Sequence, residues 1–145
     1  MKEREHSDLF PLSDMQESYL VGKCMANTED AVGCHIYCEI EENYLDVVRL
    51  NAAWNKLVVL HEMLRDKIEE EGMQYFREED FYMIQVYDVT GESKEREEEV
   101  IRSNRSRMSH KVYQANEFPL YEICVTYRKD GVSTIHFSMD EWIAD

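Results

Sequence analysis

Two acids five residues apart, Asp140 and Asp145, stand at the end of the chain in "IHFSMDEWIAD". Carboxylates at such a spacing can exchange protons with a substrate, share a cation, or lock a loop against a counter-charge. A guanidinium able to fork onto a carboxylate is present as Arg65 in "HEMLRDKI". The plainer role of an Asp at a strand end is a cap or turn. His35, His61, His110 and His136 are candidates for proton transfer, yet no spacing pairs two of them or sets one beside a nucleophile. No His or third carboxylate is spaced to complete a site with Asp140 and Asp145, so no metal is expected. The five glycines stand apart, which removes a phosphate-cradling loop from consideration.

The elements that must position these residues are legible from periodicity. Ser13 followed by Gln16 is a capping box after Pro11 and Leu12, and it predicts a helix over 14–25 with Met15, Tyr19 and Leu20 inward. "VGCHIYCEIEE" alternates, setting Cys34, Ile36, Cys38 and Ile40 against His35, Tyr37 and Glu39 as in a strand. Val47, Leu50, Trp54, Leu57, Val58 and His61 fall at helical spacing behind Asp46, a cap. Two short strands flank Glu71-Gly72, a further strand covers "FYMIQVYDVT", and a polar helix over "SKEREEEVIRSNRSRMSH" needs Glu98 and Arg102 as an i,i+4 pair. Asp130-Gly131 marks a hairpin between two alternating runs. In the second run Ile135, Phe137 and Met139 share one face while His136, Ser138 and Asp140 form a polar row on the other. Helix, strand, helix, strands, helix and hairpin together predict an α/β fold, a two-layer sandwich.

Composition narrows the partners. The chain has 145 residues, enough for one domain with a core. Its 31 acidic and 16 basic residues give a net charge of −15, which repels nucleic acid and anionic membrane surfaces. Arg102, Arg105 and Arg107 form a small basic group expected to be solvated. The charged start "MKEREHSDLF" lacks the apolar core of a secretory signal, and no apolar run nears the ~20 residues of a membrane span, so a cytoplasmic protein is expected. The four cysteines have neither zinc spacing nor disulfide density, and are expected to be reduced. Cys34 and Cys38 lie roughly 13 Å apart along a strand, too far for a bridge, and should pack as small hydrophobes.

Four segments, in order, resemble the heterocyclization domains of nonribosomal peptide synthetases, the cyclizing branch of the condensation-domain superfamily. "FPLSDMQESYLVGK" is similar to their opening FPLTxxQxAYxxGR, "LHEMLR" to RHxMLR, "MSHKVYQANEFPLYEI" to the MSH and PLFEL region, and "FSMDEWIAD" to DxxxxD. Departures are Ser13 for Thr, Ser18 for Ala, Lys23 for Arg and Leu60 for Arg. The amide-forming branch carries HHxxxDG, which "MDEWIAD" does not match.

The resemblance implies a chloramphenicol-acetyltransferase-like N-terminal lobe over residues 10–145 behind a leader at 1–9, with the C-terminal lobe absent and the chain a gene fragment inactive by itself. It implies transfer of an acyl group from one carrier protein to Cys, Ser or Thr on another, then cyclodehydration to a thiazoline or oxazoline. Partners would be acyl or peptidyl carrier proteins whose phosphopantetheine arms enter between the lobes, with no cofactor bound directly. The residues implied in the active site are Asp140 and Asp145, the catalytic candidates, which in large part hold the active-site loop in shape. Those driving cyclodehydration lie in the other lobe. Arg65 falls on the final Arg of RHxMLR and is expected to support Asp145. Alternation adds His136 and Ser138 as tunnel-lining candidates. Loss of the facing lobe should expose apolar surface near Trp142 and Ile143 and favour homodimers. The alternative is a non-catalytic module that binds carrier proteins.

Overall fold

The computed structural model describes residues 9–25, 34–68, 72–78, 81–114 and 117–144. Capping chemistry sets where its helices begin. Ser13 N–H donates to Gln16 Oε1 at 2.9 Å and Gln16 N–H to Ser13 Oγ at 3.3 Å, and helix α1 occupies Asp14–Met25. Asp46 accepts from Arg49 N–H at 3.0 Å ahead of α2, Val47–Leu60. Ser93 accepts from Arg96 N–H ahead of α3, Lys94–Ser109.

Strands β1 (Phe10–Pro11), β3 (Asp66–Ile68) and β4 (Met73–Phe76) form a small antiparallel sheet with β4 central. The larger sheet has the order β2 (His35–Asn43), β7 (Val132–Asp140), β6 (Tyr121–Tyr127), β5 (Gln85–Asp88). All its pairs are antiparallel except β5 with β6, and α3 is the long crossover that a parallel pair requires. The β6–β7 hairpin forms where Asp-Gly predicts it: Asp130 and Gly131 have φ of 60° and 75°. The positive φ favours glycine at 131, and a Cβ there would come within 2.5 Å of the exposed Tyr44 ring and push it aside.

The larger sheet separates two kinds of core. On one face Ile123, Val125, Ile135 and Phe137 pack under α2 with Val47, Leu50 and Trp54. Trp54 meets Tyr121 and Phe137 edge-on, with ring centroids 4.9 Å and 5.6 Å away. Leu57 and His61, expected on this stripe, are exposed, whereas Val58 beside them is buried. On α1, Met15 is likewise outward; the position turned inward is Gln16, whose amide exchanges two 2.9 Å hydrogen bonds with Gln74.

The opposite face is polar and is covered by α3. The α/β sandwich therefore has helices on both faces of its larger sheet. The sequence predicts α3 as an exposed helix with little to bury, yet Glu97, Asn104 and Met108 are buried. Of the three arginines expected to be solvated, Arg102 is exposed, while Arg105 and Arg107, about half exposed, also reach the sheet. Arg105 grips Glu39 at 2.5 Å and 2.7 Å, Arg107 pairs with Glu122, and Arg128 of the hairpin joins Glu97 and Glu41. A polar helix fits here because the strands present acids to it. No helix among the described residues is long and apolar enough to cross a membrane.

Candidate functional site

Strand β7 delivers Asp140 to its C-terminal end, where the chain turns through a 3-10 segment, Glu141–Ile143. Asp140 caps this turn: its Oδ1 accepts from Trp142 N–H at 2.9 Å. Its own N–H is bonded to Leu120 O at 2.9 Å, and the side chain is 1% exposed. The first acid of DxxxxD thus lies in the interior as a capping group, the plainer of the roles open to it from the sequence. Its carboxylate is not on the surface. Asp145 lies outside the described residues.

Trp142 and Ile143 are expected at an exposed face and are instead buried, at 1% and 5% exposure, in a core with Leu12, Val58, Tyr113 and Leu120. Burial follows from the turn, which folds both side chains back between α2 and the small sheet. The indole finds an acceptor there, Nε1–H to Asp66 Oδ2 at 2.8 Å. Asp66 is itself 1% exposed, and among the described residues its Oδ1 has no hydrogen-bond partner. Burial pushes the Asp66 carboxyl up to about 6, against the opposing pull of the indole N–H and of the Lys67 backbone N–H. This pair leaves no trace in sequence spacing, since 76 positions separate its members.

Arg65 closes the far end of α2. Its Nε donates to Val58 O at 3.1 Å and its Nη1 to Arg77 O at 2.7 Å, while Arg77 N–H returns a bond to Arg65 O. The guanidinium therefore ties the last turn of α2 to the end of β4. The expected partnership with Asp145 falls outside the described residues.

Between these two ends lies an open groove of about 680 Å³. One wall is the end of α2 and the "HEMLR" segment, with Leu60, His61 and Met63; the other is Met139, Ile143 and Ala144. Two segments singled out in the sequence, 74 positions apart from Arg65 to Met139, thus border one cleft, and the residues that shape it are held from behind by Arg65, Asp66 and Asp140. Leu60, 73% exposed, stands on its rim where the RHxMLR pattern has an arginine.

His136 and Ser138 do not line this groove. Both are 0% exposed, because the polar row of β7 faces α3 and not the cleft. Tyr113 Oη donates to Ser138 Oγ at 3.1 Å. Tyr37 Oη lies 2.9 Å from His136 Nδ1 and 2.6 Å from Glu39 Oε1, and His136 Nε2 has no partner among the described residues. Burial holds the imidazole below its ordinary range, and the Arg105 guanidinium takes the Glu39 carboxyl down to about 2. The result is a polar core network in place of a tunnel wall.

The other reactive groups are dispersed. His61 and His110 are exposed at helix C-termini, Cys124 is buried, and Cys34, expected in packing, is exposed with Sγ 2.7 Å from Glu141 Oε2. Tyr19 Oη donates to the same oxygen at 3.4 Å. Among the described residues no group of three His, Cys, Asp or Glu could hold a metal ion.

No protein-family profile matches the chain. Phenyloxazoline synthase MbtB of Mycobacterium sp. (strain MCS) is 30% identical over 139 residues, 94% of this chain and 11% of that protein. Pyochelin synthetase PchF of Pseudomonas aeruginosa is 27% identical over 138 residues, 94% of this chain and 8% of that protein. The chain thus spans about a tenth of the curated relatives it matches. Among solved structures, the cyclization-docking bidomain of the nonribosomal peptide synthetase EpoB from Sorangium cellulosum superposes with a TM-score of 0.86 at 32% identity, over 92% of this chain and 27% of that one. The starter condensation domain of rhizomide synthetase RzmA shares the fold alone, with a TM-score of 0.75 at 12% identity.

Proposed function

We propose that this chain, whose homologues are heterocyclization and condensation domains of nonribosomal peptide synthetases and whose fold is that of a condensation-domain N-terminal lobe, acts as the N-terminal lobe of a heterocyclization domain. The lobe works against a second lobe, and phosphopantetheine arms of acyl or peptidyl carrier proteins bring both substrates to the seam. The amine of carrier-bound Cys, Ser or Thr attacks the acyl thioester, releasing the first carrier's thiol. The side-chain thiol or hydroxyl then adds to the new amide carbonyl, one water leaves, and a thiazoline or oxazoline results. Such a reaction belongs in the cytoplasm.

What supports this reading most is the groove between "HEMLR" and "FSMDEWIAD", in a chain that aligns over nearly all its length with proteins named for oxazoline formation and cyclization. In it the chain's own residues position and enclose. Leu60, Met63 and Met139 give the arm an apolar bed, Asp140 fixes the turn beside it, and Arg65 holds the opposite wall. The two Arg65 bonds to carbonyls use only part of a five-donor guanidinium, which leaves donors for Asp145. Positioning of this kind matters because a shift of about 1 Å at a reacting group can cost about a hundredfold in rate.

The test joins this lobe to the second lobe of a cyclizing relative and supplies an acyl carrier and a Cys-loaded carrier. Mass spectrometry of the carrier-bound product should show condensation followed by loss of one water. Condensation without loss of water would assign the lobe to the amide-forming branch. Carrier binding without any transfer would assign it to a non-catalytic module.

A further inference from the structure

Behind the groove lies a buried contact that neither the motifs nor the proposed reaction accounts for. The 3-10 turn after Asp140 is short, and its one side-chain cap is Asp140 itself. Beside the contacts of Glu141 with Cys34 and Tyr19 at the edge of the turn, a buried tether comes from a different sheet. Asp66, the first residue of β3, accepts the Trp142 indole N–H at 2.8 Å, and both side chains are 1% exposed. Asp66 directly follows Arg65, so the "HEMLR" wall and the "MDEWIA" wall are bridged by one hydrogen bond beneath the floor of the cleft. A buried carboxylate with one oxygen lacking a partner among the described residues is costly, and an apolar side chain of similar size would pack there without that penalty. What the carboxylate supplies, and an apolar residue would not, is a fixed direction for the indole. With Trp142 fixed, Ile143 and Ala144 are set against Met139 along the groove wall.

We propose that Asp66 is a positioning residue, which through the Trp142 indole fixes the turn carrying Asp140 and so holds the two walls of the groove at a set distance. Its place in catalysis rests on the reading of that groove as the substrate site. The contact itself does not. Asp66 is buried away from the groove surface, and its hold on the turn runs through Trp142.

Hydrogen exchange on the full chain at pH 4, where the Asp66 carboxyl of the parent is protonated and Asp66→Asn matches it in stability, tests it. Asp66→Leu removes the acceptor, and Trp142→Phe removes the donor from the other side. Each should speed exchange of the Trp142 and Ala144 amides at least tenfold while the central amides of β6 stay within about threefold. Asp66→Asn retains an acceptor oxygen and should keep all of these amides within threefold of the parent. In a Trp54→Phe background Trp142 is the sole tryptophan, because the sequence has two. Its emission should then titrate with a midpoint near the carboxyl's value of about 6, and Asp66→Asn should abolish that transition. Equal exchange in Asp66→Leu and Asp66→Asn, acceleration spread evenly over β6 and β7, or a pH transition that survives Asp66→Asn would each overturn the proposal alone. The two-lobed enzyme separates it from the functional reading: Asp66→Leu should lower kcat at least tenfold and leave KM for the carrier-bound substrates within twofold. Faster exchange at the turn with undiminished turnover would overturn the reading of the groove together with this role for Asp66.

Discussion

Replacing Asp66 by Asn should stabilise the chain at pH 8 and leave it nearly unchanged at pH 4. In the fold its carboxyl is pushed up to about 6 from an ordinary value of 3.8, with burial the leading cause. The folded protein therefore holds this proton more tightly than the unfolded chain does. That sign means the contribution to stability is fully present below about 3.8 and is lost as pH rises through 6. The gap of about two units corresponds to roughly 3 kcal/mol, of which about 2–3 kcal/mol separates pH 4 from pH 8. Asn carries no charge, keeps an oxygen for the Trp142 indole, and buries an amide about as polar as the protonated acid it replaces. Urea unfolding of both proteins at each pH reads the difference directly. With a slope of about 2 kcal/mol per molar, the midpoint of Asp66→Asn should lie about 1 M above the parent at pH 8 and within about 0.3 M of it at pH 4. Other titrating groups cancel between the two proteins. A midpoint difference that is the same at both pH values, or a variant weaker than the parent at pH 8, would refute the burial of an ionisable Asp66.

Three further outcomes follow from the same physical terms. Gln74→Ala strands the buried Gln16 amide and removes a donor from Pro11 O, and should cost about 2–3 kcal/mol by urea unfolding. Glu39, with its carboxyl held at about 2 chiefly by Arg105, gives stability that is whole above the ordinary carboxylate range and fades as pH falls from there towards 2. Arg105→Ala, half exposed at its own end, should cost only about 0.5–1 kcal/mol at neutral pH while returning the Glu39 titration, followed by NMR, towards the ordinary range. Cys124 is buried with its thiol pushed up to about 12, so alkylation at pH 8 should spare it until the chain unfolds, whereas exposed Cys34 reacts in the native state.

Local chemistry made much of the fold legible. The Ser13–Gln16 box, the Asp46 cap and the Asp130-Gly131 turn depend on residues within a few positions of one another, and each forms as the sequence implies. Alternation in β7 also divides its side chains correctly between two faces. It could not say what covers each face. His136 and Ser138 look like a channel lining from the strand alone and become core because α3, a helix polar enough to suggest full exposure, brings Arg105 and Arg107 to acids on the same sheet face. Trp142 is expected on a face left open by the absent lobe and is instead buried, because the turn carries its indole to Asp66, 76 positions away in sequence. The groove was half legible: its two walls were marked as segments, and their meeting is a property of the tertiary structure.

The most direct test asks where a carrier's arm arrives. In the two-lobed enzyme, in a Cys34→Ser background, cysteine placed at Leu60 on the groove rim and at Val48 near the start of the same helix gives two surface thiols of similar exposure, the parent residues being 73% and 75% exposed. A carrier protein bearing a chloroacetyl phosphopantetheine arm should alkylate Leu60→Cys at least tenfold faster than Val48→Cys, and free chloroacetyl pantetheine should not discriminate to that degree. Equal rates at the two positions, or faster reaction at Val48, would contradict the assignment of the groove as the place where this lobe meets its substrate.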